Sequence, residues 1–274
     1  MWTEEKRYRR KSFETDRRPA HTFQIFHGNQ QRWHAGDAGS LGAEKRNHTT
    51  WNRRYDTSHL AQELKAKLIP AEQGLFRLKE EYVLPEASRY PGKAPRFVLS
   101  GEISSIYKKG GKTRKVHSLI LLPGFNEADA FAARLEKIGN IHSDGRPILG
   151  LPFHDLLELM LEVSEEGIYI PAHIWTPHFS LFGAKSGFDT IEECFEELTP
   201  YIHALETGLS SDPAMNWQIS ELDGYQLVSH SDAHSPSKLG READLLDIEL
   251  SYQGLWDAVQ NGKGLEGTIE FFPE

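Results

Sequence analysis

The sequence has 274 residues, of which 26% are charged and 38% hydrophobic, a balance typical of a globular protein with a sizeable core. The net charge of −9, from 31 Lys and Arg against 40 Asp and Glu, argues against broad nonspecific affinity for nucleic acid. No transmembrane helix and no internal disulfide framework are predicted, because apolar runs are short and Cys194 is the single cysteine. The basic start has no apolar segment and predicts no secretory signal, so a reducing cytoplasm fits.

The first 60 residues differ in composition from the rest of the chain. They are rich in Arg, His, Asn, Gln, Gly and Thr, and they lack apolar periodicity. Such a composition is typical of a disordered or non-native segment. We therefore divide the chain into an atypical segment, residues 1–60, and a folded domain, residues 61–274.

In the folded domain, predicted helices alternate with predicted strands. Apolar periodicity and end signals predict helices at residues 61–68, 126–138, 154–163, from Thr190 onward, and 252–259. Short apolar runs predict strands at residues 96–99, 115–122, 167–170, 201–205, 225–228 and 267–272. The alternation favours parallel strands with helical crossovers, so the predicted class is α/β, an open sheet or a β/α barrel. Cys194 lies on the apolar stripe of its helix and is predicted to be a core residue.

Polar side chains follow the predicted carboxyl ends of several strands, where β/α barrels have their active sites. They are Glu102, His173, Glu206, Asp232 and His234. In Asp232-Ala233-His234, positions i and i+2 of an extended segment point the same way. A carboxylate and an imidazole at this spacing suit zinc or manganese. A helix cap or an ordinary hydrogen-bonding role is the alternative interpretation.

Three further residues strengthen the prediction of a metal site. His173 follows a strand within a rigid Pro-Ala-His-Ile-Trp-Thr-Pro segment, and the Glu102 carboxylate can bridge two ions. His117 lies inside an apolar strand, where a hydrogen-bonded core histidine is the alternative. Buried carboxylates and imidazoles are costly unless they are paired or bound to metal. A centre of two or three cations clamps a phosphodiester and lowers the pKa of a bound water.

Five blocks of the folded domain carry further motifs, at residues 101–107, 139–150, 170–177, 206–217 and 231–243. Together they resemble endonuclease Q, a branch of the polymerase and histidinol phosphatase (PHP) superfamily, from about Gln62 to Glu274. The resemblance implies a distorted PHP-type β/α barrel, incomplete at its N-terminus. It also implies a cluster of two or three divalent ions, zinc, manganese or magnesium. The implied activity is cleavage of DNA on the 5′ side of deaminated or missing bases.

The resemblance also implies roles for individual residues. The metal ligands that match the family positions are Glu102, His117, His173, Asp232 and His234. Among them, Glu102, Asp232 and His234 are the predicted catalytic residues, acting through the bound ions.

Candidate DNA contacts are Arg146, Trp175, Ser210, Ser211 and Asn216. Arg146 suits a phosphate contact or an ordinary solvated surface position. Trp175 suits stacking on DNA or packing in the core. The other three residues suit contacts to phosphate or to an extruded base, or else they form a capped Ser-Ser-Asp-Pro turn.

Two features of the family are missing from this sequence. The family opens with a strand ending in Asp-Leu-His-x-His, followed by Thr-Gly-Asp-x-Thr-His-Pro-x-Trp. It also continues beyond the region of residues 267–274 into a cysteine-bearing zinc module, before which this sequence is truncated.

We explain the first loss by an out-of-frame translation of approximately residues 17–61. Codons for residues 18–23 and 51–55 can be written so that the next frame spells Asp-Leu-His-Ile-His and Gly-Thr-Gly-Asp. If the coding nucleotides do not spell these motifs one frame over, the hypothesis is wrong. If they do, about half of the family's metal ligands are missing, and we expect weak metal binding, low stability and little activity.

The sequence therefore predicts a metal-dependent DNA phosphodiesterase whose partner is DNA with deaminated or missing bases. A PHP-type phosphatase for a small phosphate ester is an alternative, because a fold does not fix its substrate. A non-catalytic remnant that binds DNA or protein is a second alternative. Metal analysis and a comparison of damaged DNA with p-nitrophenyl phosphate as substrates separate the three.

Overall fold

The structure is a computed structural model that describes residues 21–23, 57–83, 95–142, 147–233 and 240–270. The atypical segment of residues 1–60 therefore lies almost wholly outside the described residues. Its described parts are the backbone of strand β1 (His21–Phe23) and the start of helix α1 (Thr57–Lys67). The division of the chain at residue 60 stays a prediction.

The described chain is a mixed α/β structure. After α1, its helices are α2 (Phe125–Leu135), α3 (Phe153–Val163), α4 (Ile191–Phe195), α5 (Pro213–Asn216) and α6 (Tyr252–Asn261). After β1, its strands are β2 (Leu68–Pro70), β3 (Phe76–Leu78), β4 (Leu99–Lys109), β5 (Lys112–Leu122), β6 (Ile148–Leu149), β7 (Ile168–Pro171), β8 (Ala204–Glu206), β9 (Gln226–Val228), β10 (Glu242–Leu246) and β11 (Leu265–Glu270). None of these helices combines the length and the apolar character that a membrane span needs.

The described strands form four small sheets. One has the order β6-β4-β5-β7, another the order β1-β10-β11, and β2-β3 and β8-β9 are separate pairs. Only β4-β6 and β8-β9 run parallel, whereas all other named pairs are antiparallel. The α/β class is confirmed, but the prediction of mainly parallel strands is wrong, and the described strands close no barrel.

A long hairpin of β4 and β5 dominates the four-stranded sheet. Its register is continuous from Leu99 opposite Leu122 to Lys109 opposite Lys112. The two-residue turn between them is Gly110-Gly111, with φ of 59° and 75°. Positive φ at both positions is what a tight hairpin of this twist requires, and glycine adopts it without steric cost.

Two hydrophobic clusters cover the two faces of β5. Val116, Ile120 and Leu122 join a cluster with α2, α3 and α4, whereas Leu119 and Leu121 join a second cluster with α6. Because both faces are buried, the strand is a continuous apolar run without a clear alternation. Cys194 is fully buried in the first cluster, as predicted.

Several predicted boundaries are corrected by the structure. Helix α2 begins after Gly124 rather than at an Asn126 cap, and it ends at Leu135. The strand predicted at residues 201–205 is shorter, because a 3-10 helix extends to Tyr201. The strand before Glu102 extends through it, so Glu102 lies inside β4 rather than after a strand end.

Candidate metal centre

Three neighbouring chain segments bring Glu102, His117 and His173 together. In the β4-β5 register, Ser104 lies opposite His117, and Glu102 is two residues before Ser104 on the same strand. Directly opposed residues and their i±2 neighbours share a face of the sheet, so both side chains point to the same side. His173 follows β7 by two residues and lies beside β5, where the Ala172 amide donates to the His117 carbonyl at 3.0 Å.

The donor atoms of these residues form a compact triangle. His117 Nδ1 lies 3.0 Å from His173 Nε2 and 3.1 Å from Glu102 Oε1, and the third side measures 3.7 Å. All three residues are buried. A tetrahedral zinc ion with bonds of about 2.0–2.1 Å holds its ligand atoms about 3.3–3.4 Å apart. The spacing and the two-imidazole, one-carboxylate donor set therefore fit one divalent ion.

The charge around His173 also favours a cation. Burial alone lowers the pKa of this imidazole, but the hydrogen bond with Glu102 and the charges of Glu206, Glu102 and Asp232 outweigh it. The net effect raises the pKa of His173 above its usual value. The same surrounding carboxylates attract any positive ion that enters this space.

The other ring nitrogen of His173 is held by a neighbouring hydroxyl. His173 Nδ1 lies 3.1 Å from Thr176 Oγ1, and the Thr176 hydroxyl donates to the His178 carbonyl at 2.9 Å. A Thr176 hydroxyl that donates to a backbone carbonyl accepts from His173 Nδ1–H, and this tautomer leaves the lone pair on Nε2 facing the other donor atoms. This arrangement is the outer support that a metal-binding histidine needs.

An aromatic ring covers His117. The Phe179 ring stacks on the imidazole with a centroid distance of 4.7 Å and an interplanar angle of 29°. The Lys115 ammonium lies 5.5 Å from the centroid of the same ring. The stacked ring limits rotation of His117 and shields it from solvent.

Two residues predicted as metal ligands have a left-handed backbone. His173 has φ of 32° and Asp232 has φ of 39°. For residues other than glycine, such conformations cost about 1–3 kcal/mol each and concentrate at functional sites. Gly208, with φ of 62°, lies directly against His173, where a Cβ atom would stand 2.6 Å from the His173 Cβ.

Replacing Gly208 by Ala is expected to lower the affinity for Mn²⁺ by about tenfold or more, because the added methyl group must displace His173. Isothermal titration with Mn²⁺ measures the change. Gly224→Ala is the matched control, since an added Cβ there meets nothing within 4 Å. Equal Mn²⁺ affinity of the two variants would contradict the placement of His173 in the centre.

Among the described residues, the other predicted ligand, Asp232, is not part of the three-residue group. Asp232 lies near enough to raise the pKa of His173, but it is not within the compact set of donor atoms. The Asp232 carbonyl accepts from Arg241 at 3.3 Å. His234 and Arg146 fall outside the described residues, so their predicted roles stay predictions.

The candidate DNA contacts that the structure describes lie on and beside the loop that follows β8. The Asn216 amide is buried, accepts from Trp175 Nε1 at 2.8 Å, and donates to Ser211 Oγ and to the Asp212 carbonyl. Trp175 is half-buried and packs against the core, and the Asp212 side chain caps α5. Ser210 is exposed. These contacts favour the capped-turn interpretation for Asn216 and Ser211, and they leave Ser210 open to a ligand.

A second group of buried charges lies beside this centre; the sequence indicated its Glu206 but not His230 or Asp244. His230 Nδ1 lies 2.7 Å from Glu206 Oε1, and His230 Nε2 lies 3.2 Å from Asp244 Oδ2. Burial lowers the pKa of His230, but hydrogen bonds and charges from Asp244 and Glu206 outweigh it and raise the pKa to about 9. His230 precedes Asp232 by two residues, an i, i+2 spacing that was a usable signal.

The fold and this centre define a mixed α/β protein with a buried group of residues suited to a divalent ion. No family model matches the sequence. The chain is 35% identical over 149 residues to the uncharacterized protein YqxK of Bacillus subtilis strain 168, a match covering 51% of this chain and 37% of YqxK.

Two solved structures are similar to about three quarters of this chain. One is the lesion-specific endonuclease PfuEndoQ from Pyrococcus furiosus, with a TM-score of 0.59 at 26% identity, over 75% of this chain and 46% of that one. The other is an endonuclease Q complex with a 27-mer duplex that has an abasic lesion at the active site, with a TM-score of 0.60 at 26% identity, over 76% and 46%. The chain thus spans less than half the length of these relatives. These similarities confirm the resemblance to endonuclease Q found in the sequence.

Proposed function

We propose that this protein is a metal-dependent DNA endonuclease of the endonuclease Q type, which incises DNA on the 5′ side of abasic sites and deaminated bases. The observation that carries the proposal is the buried triangle of Glu102, His117 and His173. It occurs in a fold similar to a lesion-specific endonuclease and to an endonuclease Q complex with an abasic duplex.

The residues of this chain have separable tasks in the proposed reaction. Glu102, His117 and His173 would hold a divalent ion, which would supply stabilisation of charge on the phosphoryl oxygens and activation of a bound water. Thr176 fixes the orientation of His173, and Phe179 keeps solvent from His117. Asp232 and His234 are proposed to add ligands for a second or third ion. The proposed ion is zinc, manganese or magnesium, of which zinc suits two imidazoles and a carboxylate best.

We also propose that the four sheets are arcs of a distorted PHP-type barrel. Strand β7 lies beside β8, and β9 lies beside β11, so neighbouring strands continue from one sheet to the next. Strand β1 pairs with β10 at one end of this series. The family's first strand, with its His-x-His motif, is expected at the same end. The absence of the His-x-His motif from the sequence agrees with the proposed frame change over approximately residues 17–61.

The predicted DNA contacts also have a place in this proposal. Ser210, Ser211, Asn216, Trp175 and Arg146 are proposed to lie along the path of the damaged strand, with Ser210 as the exposed contact. A chain with a net charge of −9 relies on bound cations to receive a polyanion.

An incision assay on end-labelled duplexes tests the proposal. We expect cleavage 5′ to a single abasic site or deoxyuridine in the presence of Mn²⁺, none of the undamaged duplex, and none after chelation. The rate is expected to be low for this chain. It is expected to rise in a version whose residues 17–61 are read in the alternative frame, because that frame restores the missing ligand motifs.

The controls separate the proposal from its alternatives. His117→Ala should abolish incision without preventing folding. Turnover of p-nitrophenyl phosphate without incision by either version would favour the phosphatase. The absence of both activities, together with no stoichiometric metal, would favour a binding remnant.

A further inference from the structure

A buried hydrogen-bonded network of charged side chains lies directly behind the backbone of His173. Glu206, the last residue of β8, accepts from the His173 amide through Oε2 at 2.7 Å. Its other oxygen contacts His230, which in turn contacts Asp244 on β10. Glu206, His230 and Asp244 have exposed fractions of only 0%, 2% and 4%. This network of three side chains therefore connects the end of β7 to β10 through the protein interior.

Stability alone does not account for this arrangement. Burying two carboxylates and a histidine carries a large desolvation penalty, and well-packed apolar residues often hold such a position equally well or better. The hydrogen bonds are instead directional, because each carboxylate oxygen of Glu206 has a different partner. The result is a fixed orientation of the groups at both ends of the network.

At one end of this network lies the strained segment that presents His173. The Glu206 carboxylate holds the His173 amide, and the Glu206 carbonyl accepts from the Ile174 amide at 3.0 Å. Two successive amides around a left-handed residue are thus held by a single neighbour. The direction of the His173 side chain follows from this backbone conformation.

At the other end of the network lies the segment that presents Asp232. His230 precedes Asp232 by two residues, and Asp232 also has a left-handed backbone. Ser229, at the start of this segment, donates its amide to Asp244 Oδ1 at 2.8 Å. Asp244 thus fixes the start of the segment through the Ser229 amide and the His230 ring.

We propose that Glu206 is a positioning residue of the metal centre, which, with His230 and Asp244, fixes the backbone of His173 relative to the segment of Asp232. This inference rests on the proposed metal function. Glu206 lies outside the triangle of donor atoms, so it acts on the ion through His173.

Titration of the full chain with Co²⁺ tests the inference, because the visible absorption of bound Co²⁺ reports the geometry of its ligands. Glu206→Ala is expected to lower the Co²⁺ affinity by about 10–100-fold and to change the absorption spectrum at saturation. Glu206→Gln should stay closer to the parent spectrum than Glu206→Ala does, since its amide oxygen can still accept from the His173 amide, although its NH2 group cannot accept from His230. Glu242→Gln is the matched control: Glu242 is also buried in this region, but its carboxylate accepts from the Ser229 hydroxyl, at 2.6 Å, rather than from the His173 amide.

Thermal unfolding of the ion-free variants shows whether each one folds. If Glu206→Ala does not fold, His230→Gln replaces it, with the same expected direction of change. A parent-like Co²⁺ affinity and spectrum in the variant used overturns the inference and leaves the metal centre intact. An equal loss in Glu242→Gln also overturns it, because the effect then follows from removal of any buried charge. A parent chain that binds no Co²⁺ overturns the metal centre and the inference together.

Discussion

Replacing His117 by Ala is expected to lower the affinity of the chain for Zn²⁺ or Mn²⁺ by more than about 100-fold. His117 Nδ1 is the atom closest to both other donors, at 3.0 and 3.1 Å, and its removal leaves two ligands 3.7 Å apart. Loss of outer supporting groups alone costs about 10–100-fold in metal affinity, so loss of a direct ligand should exceed that range. Equilibrium dialysis with metal analysis measures the effect.

The matched control for this change is His154→Ala. His154 is also hydrogen-bonded to carboxylates, from Asp155 and Glu197, but it lies at the start of α3, away from the centre. Its replacement should leave the metal affinity unchanged. Undiminished binding in His117→Ala would show that the ion lies elsewhere.

Replacing Phe153 by Ala is expected to destabilise the protein by about 3–5 kcal/mol, the usual cost of removing a buried aromatic ring. Phe153 is fully buried, and its ring contacts those of Tyr169 and Phe195 at centroid distances of 5.6 and 5.3 Å. The lost ring leaves a cavity between α3, α4 and β7. Urea denaturation followed by circular dichroism and by fluorescence measures the free energy of unfolding.

Leu209→Ala is the control for this stability prediction, because Leu209 is 51% exposed. Its effect on the free energy of unfolding should stay within about 0.5 kcal/mol. A loss below about 1 kcal/mol in Phe153→Ala would mean that the contacts of this cluster contribute little to stability.

The grouping of Glu102, His117 and His173 was predictable from the sequence, even though the placement of Glu102 was wrong. Glu102 was expected after a strand end, whereas it lies inside β4. It still meets His117, because an antiparallel hairpin brings side chains two positions out of register onto one face. The chemistry of carboxylate and imidazole in apolar surroundings was therefore a better guide than the predicted topology.

The parts that could not be predicted depend on pairing between distant segments. Strand β10 has the sequence Glu-Ala-Asp-Leu-Leu, whose acidic residues do not indicate a buried strand. Glu242 and Asp244 are buried there because Ser229 and His230 supply partners from the segment after β9. No local pattern in the sequence contains this partnership, since burial of a charge depends on which group the fold places beside it.

The β4-β5 hairpin has a consequence for how the centre assembles. Glu102 and His117 belong to one local unit joined by a two-residue turn, whereas His173 is 56 positions beyond His117. Most of the entropic cost of bringing the three donors together therefore arises in one step, the docking of β7 against β5, which closes the longer loop. An ion that binds all three donors favours the docked state over the undocked one. An ion bound at the centre would thus stabilise the pairing of β7 with β5, a long-range contact that the hairpin by itself does not provide.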